Sequence, residues 1–230
     1  MKDYRDKEIK CLLYVLFFMF LIWCTPILNR IQTDGNQSKY AVLSSILEAT
    51  IISAVLSCGS VICDCIISSN LKDNLVGLFF IPRAGETVFS RIASGQLHDS
   101  RFRTSDATAL YADIIQSRPS QKKARYEFEN SNWYRIYQKY QEKGQVYQSQ
   151  RDYLMCRDLY SQTLSFGFIY VLLCLVFPSV VAFQLRFVLM LCALAVVFNI
   201  CTHLKMKRFV NSVIAADVSE RHNEIETKKV

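Results

Sequence analysis

Residues 158–205 read DLYSQTLSFGFIYVLLCLVFPSVVAFQLRFVLMLCALAVVFNICTHLK, and Arg186 is the one charged side chain between Asp158 and Lys205. A helix rises 1.5 Å per residue, so about 20 apolar residues cross a hydrocarbon core of roughly 30 Å. The uncharged runs on either side of Arg186 therefore read as two membrane spans. Pro178 breaks the helical pattern and marks a short reversal, which makes a tight hairpin with almost no outer loop.

Toward the N terminus, residues 11–28 carry no charge and read as a further span. The apolar run 41–68 is less regular, because Glu48 and Asp64 leave only 15 uncharged residues between them. A span here keeps a carboxylate near one end. The chain is thus expected to be an all-α membrane protein with four transmembrane helices arranged as two hairpins, 11–69 and 161–204. A mostly helical cytoplasmic domain, 70–160, lies between them, with an N-terminal segment 1–10 and a tail 205–230. A signal peptide competes for the first run, since Lys2, Arg5, Lys7 and Lys10 precede it. The length of the run and the bulky Leu28, Asn29, Arg30 and Ile31 after it favour an uncleaved anchor.

Lys and Arg fix the orientation. Residues 70–162 hold fourteen of them, the N-terminal ten residues hold four, and the tail carries Lys205, Lys207, Arg208, Arg221, Lys228 and Lys229. The opposite loops hold only Arg30, Lys39 and Arg186. Positive flanks stay inside, so both termini and the central domain are expected to be cytoplasmic in a multi-pass membrane protein; the layout, rather than any residue, suggests the bacterial inner membrane, a eukaryotic internal membrane being the alternative. The formal charge of +7 is largely what this topology produces. Within 70–162, ten carboxylates oppose the fourteen basic residues, so no polybasic tail is present.

Nine cysteines lie in or beside the spans, and none falls in an outer loop, which argues for helix packing rather than a disulfide framework. Cys58, Cys63 and Cys65 lack zinc-site spacing. His98, His203 and His222 form no Cys-His, Ser-His or HExxH arrangement, so no catalytic site, metal or cofactor is expected and the chain reads as a non-enzyme.

In the central domain, Val88, Phe89, Ile92 and Ala93 recur at helical spacing before Gly95. A second helix begins near Thr104 or Ser105 and ends before Pro119. The apolar 74–81 reads as an interfacial segment or short strand. The longest element starts between Lys122 and Trp133, carries a stripe of Trp133, Ile136, Tyr137, Tyr140 and Tyr147, weakens at Gly144 and runs into the third span. Such a helix is a mechanical route from domain to membrane.

Seven tyrosines between Tyr126 and Tyr160 are interleaved with basic residues, a pattern that suits stacked bases and phosphates as well as ordinary packing or a docking face for a soluble protein. The candidate ligand or partner residues are Arg83, Arg91, Arg125, Trp133, Arg135, Tyr137, Lys139 and Tyr140. Arg83 belongs to the turn Pro82, Arg83, Ala84, Gly85, Glu86, Thr87, which suits an anion or a plain helix start. Glu48 and Asp64 are the candidate ion-path residues, because a carboxylate at membrane depth faces protein or water rather than lipid; the alternative is that Glu48 marks the outer end of its span. Four spans enclose no substrate path alone, so a homo-oligomer in the lipid bilayer is expected.

A short chain of four spans around a basic, aromatic cytoplasmic domain resembles in layout the membrane effectors of bacterial antiphage defence, such as the membrane components of Hailong or Kiwa, and those of cyclic-oligonucleotide signalling. The resemblance implies an oligomer that depolarises or permeabilises the membrane when a nucleotide, oligonucleotide or partner signal reaches the domain. The other reading is a membrane-anchored sensor or scaffold that recruits a soluble protein.

Overall fold

The computed structural model describes residues 2–24, 39–77, 82–83, 85–178 and 181–227. Among them there is no strand, and the helices are α1 Lys2–Cys24, α2 Lys39–Ile66, α3 Ser69–Val76, α4 Val88–Ala93, α5 Thr104–Leu110, α6 Ala112–Gln116, α7 Lys122–Tyr140, α8 Gly144–Val176 and α9 Leu185–Thr227. The chain divides into two compact units: Met1–Lys72 with Met155–Ile200, and Asp73–Leu154 with Cys201–Val230.

Three of the described helices are long and apolar enough to cross a membrane: α2 over Ile46–Ile66, α8 and α9. The run 11–28 expected as a first span is helical through Cys24, and its last four residues lie outside the described residues. The first unit is built on a stripe of α1 at every fourth residue, Leu12, Leu16, Phe20 and Cys24, all buried. It packs with Leu56 of α2, Phe166 and Tyr170 of α8, and Phe187 and Leu191 of α9. The reversal after Val176 is held from inside: the Tyr170 ring lies 4.9 Å from that of Phe187. Its hydroxyl accepts the Gln184 backbone N–H at 2.9 Å and donates to the Ala182 carbonyl at 3.2 Å. Pro178, two residues past the helix end, cannot continue it.

The second unit collects α4 to α7, the start of α8 and the end of α9 around one core. Gly95 (φ 68°) closes α4, with its N–H on the Ile92 carbonyl and that of Gln96 on Arg91. The element expected between Thr104 and Pro119 is two helices, because the backbone breaks at Tyr111 (φ −104°, ψ 17°). That break turns the tyrosine inward, where its ring meets Phe89 edge-on at 5.3 Å. Residues 74–76 end α3 as helix, and 78–81 lie outside the described residues.

The long element divides as the weak point at Gly144 leads one to expect: α7 stops at Tyr140, and α8 starts at Gly144 and continues unbroken to Val176. The segment read as a tail is helical to Thr227, and residues 201–227 belong to the second unit. Phe209 is a hub of its core, with Trp133 at 5.4 Å, Tyr137 at 5.5 Å and Tyr153 at 6.0 Å.

Gly85 is required by this core. A Cβ there would stand 2.8 Å from Trp133 Cε3 and 2.5 Å from Asn130 Oδ1. Asn130 can turn aside, but the indole is pinned by Tyr137 and Phe209. Gly85→Ala is expected to cost about 1–3 kcal/mol by overpacking and to red-shift and broaden the tryptophan emission of the purified protein.

Candidate functional site

Within the first unit, a column of polar side chains runs along the contact of α2 with α8. On α2, Ser53, Ser57, Ser60 and Asp64 recur every three or four residues; on α8, Arg157, Ser161 and Ser165 recur every fourth, with Asp158 and Gln162 one position behind. Helical spacing therefore gives each helix one polar edge in an otherwise apolar run. Gln162 Nε2 donates to Ser60 Oγ at 2.8 Å, and Ser161 Oγ donates to Asp64 Oδ1 at 2.6 Å. Ser53 and Ser60 return their own protons to backbone carbonyls one turn back. The hydroxyls of Ser57 and Ser165 are buried with no hydrogen-bond partner among the described residues.

At one end the column becomes ionic. Lys72 of α3 donates to Asp64 Oδ2 at 2.6 Å and stands 3.8 Å from Asp158 Oδ1. Arg157 reaches Asp158 at 3.3 Å. Four charges of balanced sign are thus gathered with side chains 14% exposed or less. Charges in such a low-dielectric setting bind strongly as a set and are costly singly. Asp64, expected on an ion path, has both carboxylate oxygens engaged here. Glu48 lies sixteen positions earlier on α2, roughly 24 Å along the axis, and its side chain is exposed.

The candidate ligand residues of the second unit do not share one face. Trp133, Tyr137 and Tyr140 are buried, with Trp133 stacked on Tyr137 at 5.6 Å. Arg135 is exposed. Lys139 is exposed as well, over the Tyr140 ring at 5.0 Å and 3.4 Å from Glu220. Arg83 donates through its guanidinium to Asn74 Oδ1 and through its backbone to Glu86, so the turn at Pro82 is closed by its own glutamate. Arg91 is half-buried and desolvation lowers its pKa. Among the described residues, Arg125 Nε is buried without an acceptor, as is the indole N–H of Trp133.

Three further sites were not singled out by sequence. Asp217 of α9 is 1% exposed and accepts hydrogen bonds from Tyr111 (2.6 Å) and Tyr140 (2.9 Å), with Arg221 at 3.3 Å. Burial, reinforced by the Asp217 carboxylate, raises the pKa of Tyr111, and burial likewise raises that of Tyr140, so both act as donors. Glu129 of α7, fully buried, accepts the Ser90 backbone N–H at 3.0 Å and the Ser90 hydroxyl, with Arg118 at 3.9 Å. Arg101, clamped by Asp99 at 2.7 Å and donating to Ser212 at 3.2 Å, lines three cavities of about 470, 470 and 480 Å³. Among the described residues no group of three His, Cys, Asp or Glu is placed to hold a metal ion. The spacing of Phe209, Val213 and Asp217, every fourth residue, was the available signal for the buried face of α9.

No protein-family model, curated protein or solved structure matches this chain.

Proposed function

We propose that this protein is an oligomeric multi-pass effector of the bacterial inner membrane that conducts ions or depolarises the bilayer, controlled through its second unit by a nucleotide or oligonucleotide. In this reading α1 completes a set of four spans in two hairpins, and both termini and the second unit are cytoplasmic. The observation that carries it is the polar column of α2 and α8. Ionisable groups at membrane depth are expensive, and where they are retained they belong to ion pathways, relays or gates. Here serine and glutamine hydrogen bonds lead into an ionic cluster at one end, while the unpartnered hydroxyls of Ser57 and Ser165 provide sites for water or a passing cation. The ionic cluster suits a gate, since Lys72 approaches the Asp64 carboxylate from a separate short helix and can be withdrawn from it. The resemblance of the expected layout to antiphage and cyclic-oligonucleotide membrane effectors is in line with the same reading.

The test is ion flux from proteoliposomes and current in planar bilayers under a KCl gradient. Wild-type protein is expected to pass cations in preference to chloride, and Glu48→Gln with Asp64→Asn to move the reversal potential toward zero. Selectivity unchanged in that pair sinks the carboxylate path. No flux from folded protein, together with a soluble protein that co-purifies stoichiometrically, makes the membrane-anchored scaffold the better account.

A further inference from the structure

The three cavities around Arg101 are parts of one groove in the second unit. Arg101 lines all of them, Ser219 is common to the first and second, and Gln145 to the second and third. Along α9 the groove runs from Arg208 to His222, roughly 21 Å at 1.5 Å per residue.

The middle cavity is lined by two cations, Arg101 and Lys143, and among the described residues by no carboxylate. Both cations are held by acids that lie outside it. Asp99 takes Arg101 through Nε at 2.8 Å and Nη2 at 2.7 Å, and Glu220 takes one donor of the Lys143 ammonium. Donors remain: Arg101 Nη1 makes only longer contacts, to Ser212 at 3.2 Å and Gln145 at 3.5 Å, and an ammonium carries three N–H bonds. Fixed cations with donors to spare suit a phosphate, which accepts from both.

The first cavity has a different chemistry. Phe102 follows Arg101 in a turn bridged back to Asp99, and both residues line this cavity. With Leu110 and Val218 the ring makes an apolar wall, and Asp106 supplies an acceptor. A flat apolar wall with a polar edge suits a nucleobase, whose faces stack and whose rim carries amino groups. In the third cavity, Arg208 and Gln148 make no side-chain hydrogen bond or ion pair among the described residues. Its two acids are engaged, Asp99 by Arg101 and Asp152 by Lys205 at 2.8 Å. Those free donors suit a second phosphate or a ribose.

The geometry points to this groove as a nucleotide site, with a phosphate between Arg101 and Lys143 and the base against Phe102. This rests on the proposed control of the protein through its second unit and locates the place where control is exerted. None of the arginines singled out in the sequence, Arg83, Arg91, Arg125 and Arg135, lines it.

Calorimetric titration of the full-length, detergent-purified protein with AMP, ATP, GTP, the dinucleotide pApA, ribose 5-phosphate and inorganic phosphate tests it. At least one of the four nucleotides is expected to bind, about tenfold or more tighter than ribose 5-phosphate or inorganic phosphate. Ser219→Trp, which fills the first and second cavities, and Lys143→Glu are each expected to weaken that binding about tenfold or more, and Arg135→Ala to leave it within about twofold. All three positions are exposed, so an unchanged melting transition without nucleotide verifies that each variant folds. No binding by any of the four nucleotides, equal binding of ribose 5-phosphate, or affinity unchanged in folded Ser219→Trp overturns the site. The site and the channel fail separately: nucleotide binding that Ser219→Trp removes, with ion flux indifferent to nucleotide, keeps the site and removes the control, whereas flux that answers nucleotide equally in wild type and Ser219→Trp removes the site alone.

Discussion

Asp217→Ala is expected to unravel the second unit while leaving the apolar helices folded. The substitution strips the acceptor from two buried tyrosine hydroxyls at once, those of Tyr111 and Tyr140, and releases Arg221. A buried donor left unsatisfied costs about 1–3 kcal/mol, so the pair costs roughly 2–6 kcal/mol, a large part of the 5–15 kcal/mol that holds a typical domain. Hydrogen exchange should accelerate across α5, α6 and α7, and the melting transition of this unit should fall by roughly 15 °C or more. Asp217→Asn keeps one carbonyl oxygen as acceptor and is expected to lose about half as much. Tyr111 adds a pH signature, because burial and the neighbouring carboxylate raise its folded pKa above the unfolded value. The stability it contributes is complete below the ordinary tyrosine value of about 10 and is lost as pH rises through the folded value. Tyr111→Phe should blunt that alkaline loss. An unchanged melting transition in Asp217→Ala overturns the assignment of α9 to this core.

Lys72→Met is the second large effect. It leaves Asp64 with a single hydroxyl donor, Ser161, in a setting where its side chain is 14% exposed. Breaking a buried pair by removing one partner costs about 3–5 kcal/mol, because the remaining charge stays desolvated. The detergent-purified protein should melt earlier, while Lys72→Arg, which keeps the cation, should change little. Adding Asp64→Asn to Lys72→Met removes the stranded charge and should recover part of the loss, with a coupling of roughly 0.5–3 kcal/mol. Simple additivity of the two substitutions would show that Lys72 and Asp64 do not act as a pair. In the proposed channel, Lys72→Met should also raise resting flux relative to wild type, since the cation is part of the closed arrangement.

What was legible in the sequence follows from the range of each signal. Helices that cross a membrane announce themselves by an absence of charge, and α2, α8 and α9 were readable on that ground. Gly95 and Gly144 were readable because a helix end or a weak point is a property of a few adjacent residues. The stripe of Trp133, Tyr137 and Tyr140 was found by its period, but period alone does not say what covers a stripe, and Phe209, more than sixty residues later, is what covers it. The ionic cluster was half visible: Asp64 stood out as a charge in an apolar run, whereas Lys72 and Asp158 looked like ordinary flanking charges until α2, α3 and α8 brought them within 4 Å. Asp217 escaped because the basic residues around it mask a helical apolar face, Phe209, Val210, Val213 and Ile214, in what composition alone reports as a polar tail.

The place of α9 in the second core sets an order on biosynthesis. A ribosome delivers α4 to α7 long before Phe209, Val213 and Asp217, and two long apolar helical stretches must be made in between. Trp133, Tyr137 and Tyr153 therefore wait, with their central partner still unsynthesised, until α9 emerges. Closure is a late event of high sequence separation, and the nascent unit presents an open aromatic surface while residues 141–208 are added. A chain that stalls or is cut before Phe209 would keep that surface open, because the residues that cover it have not been made.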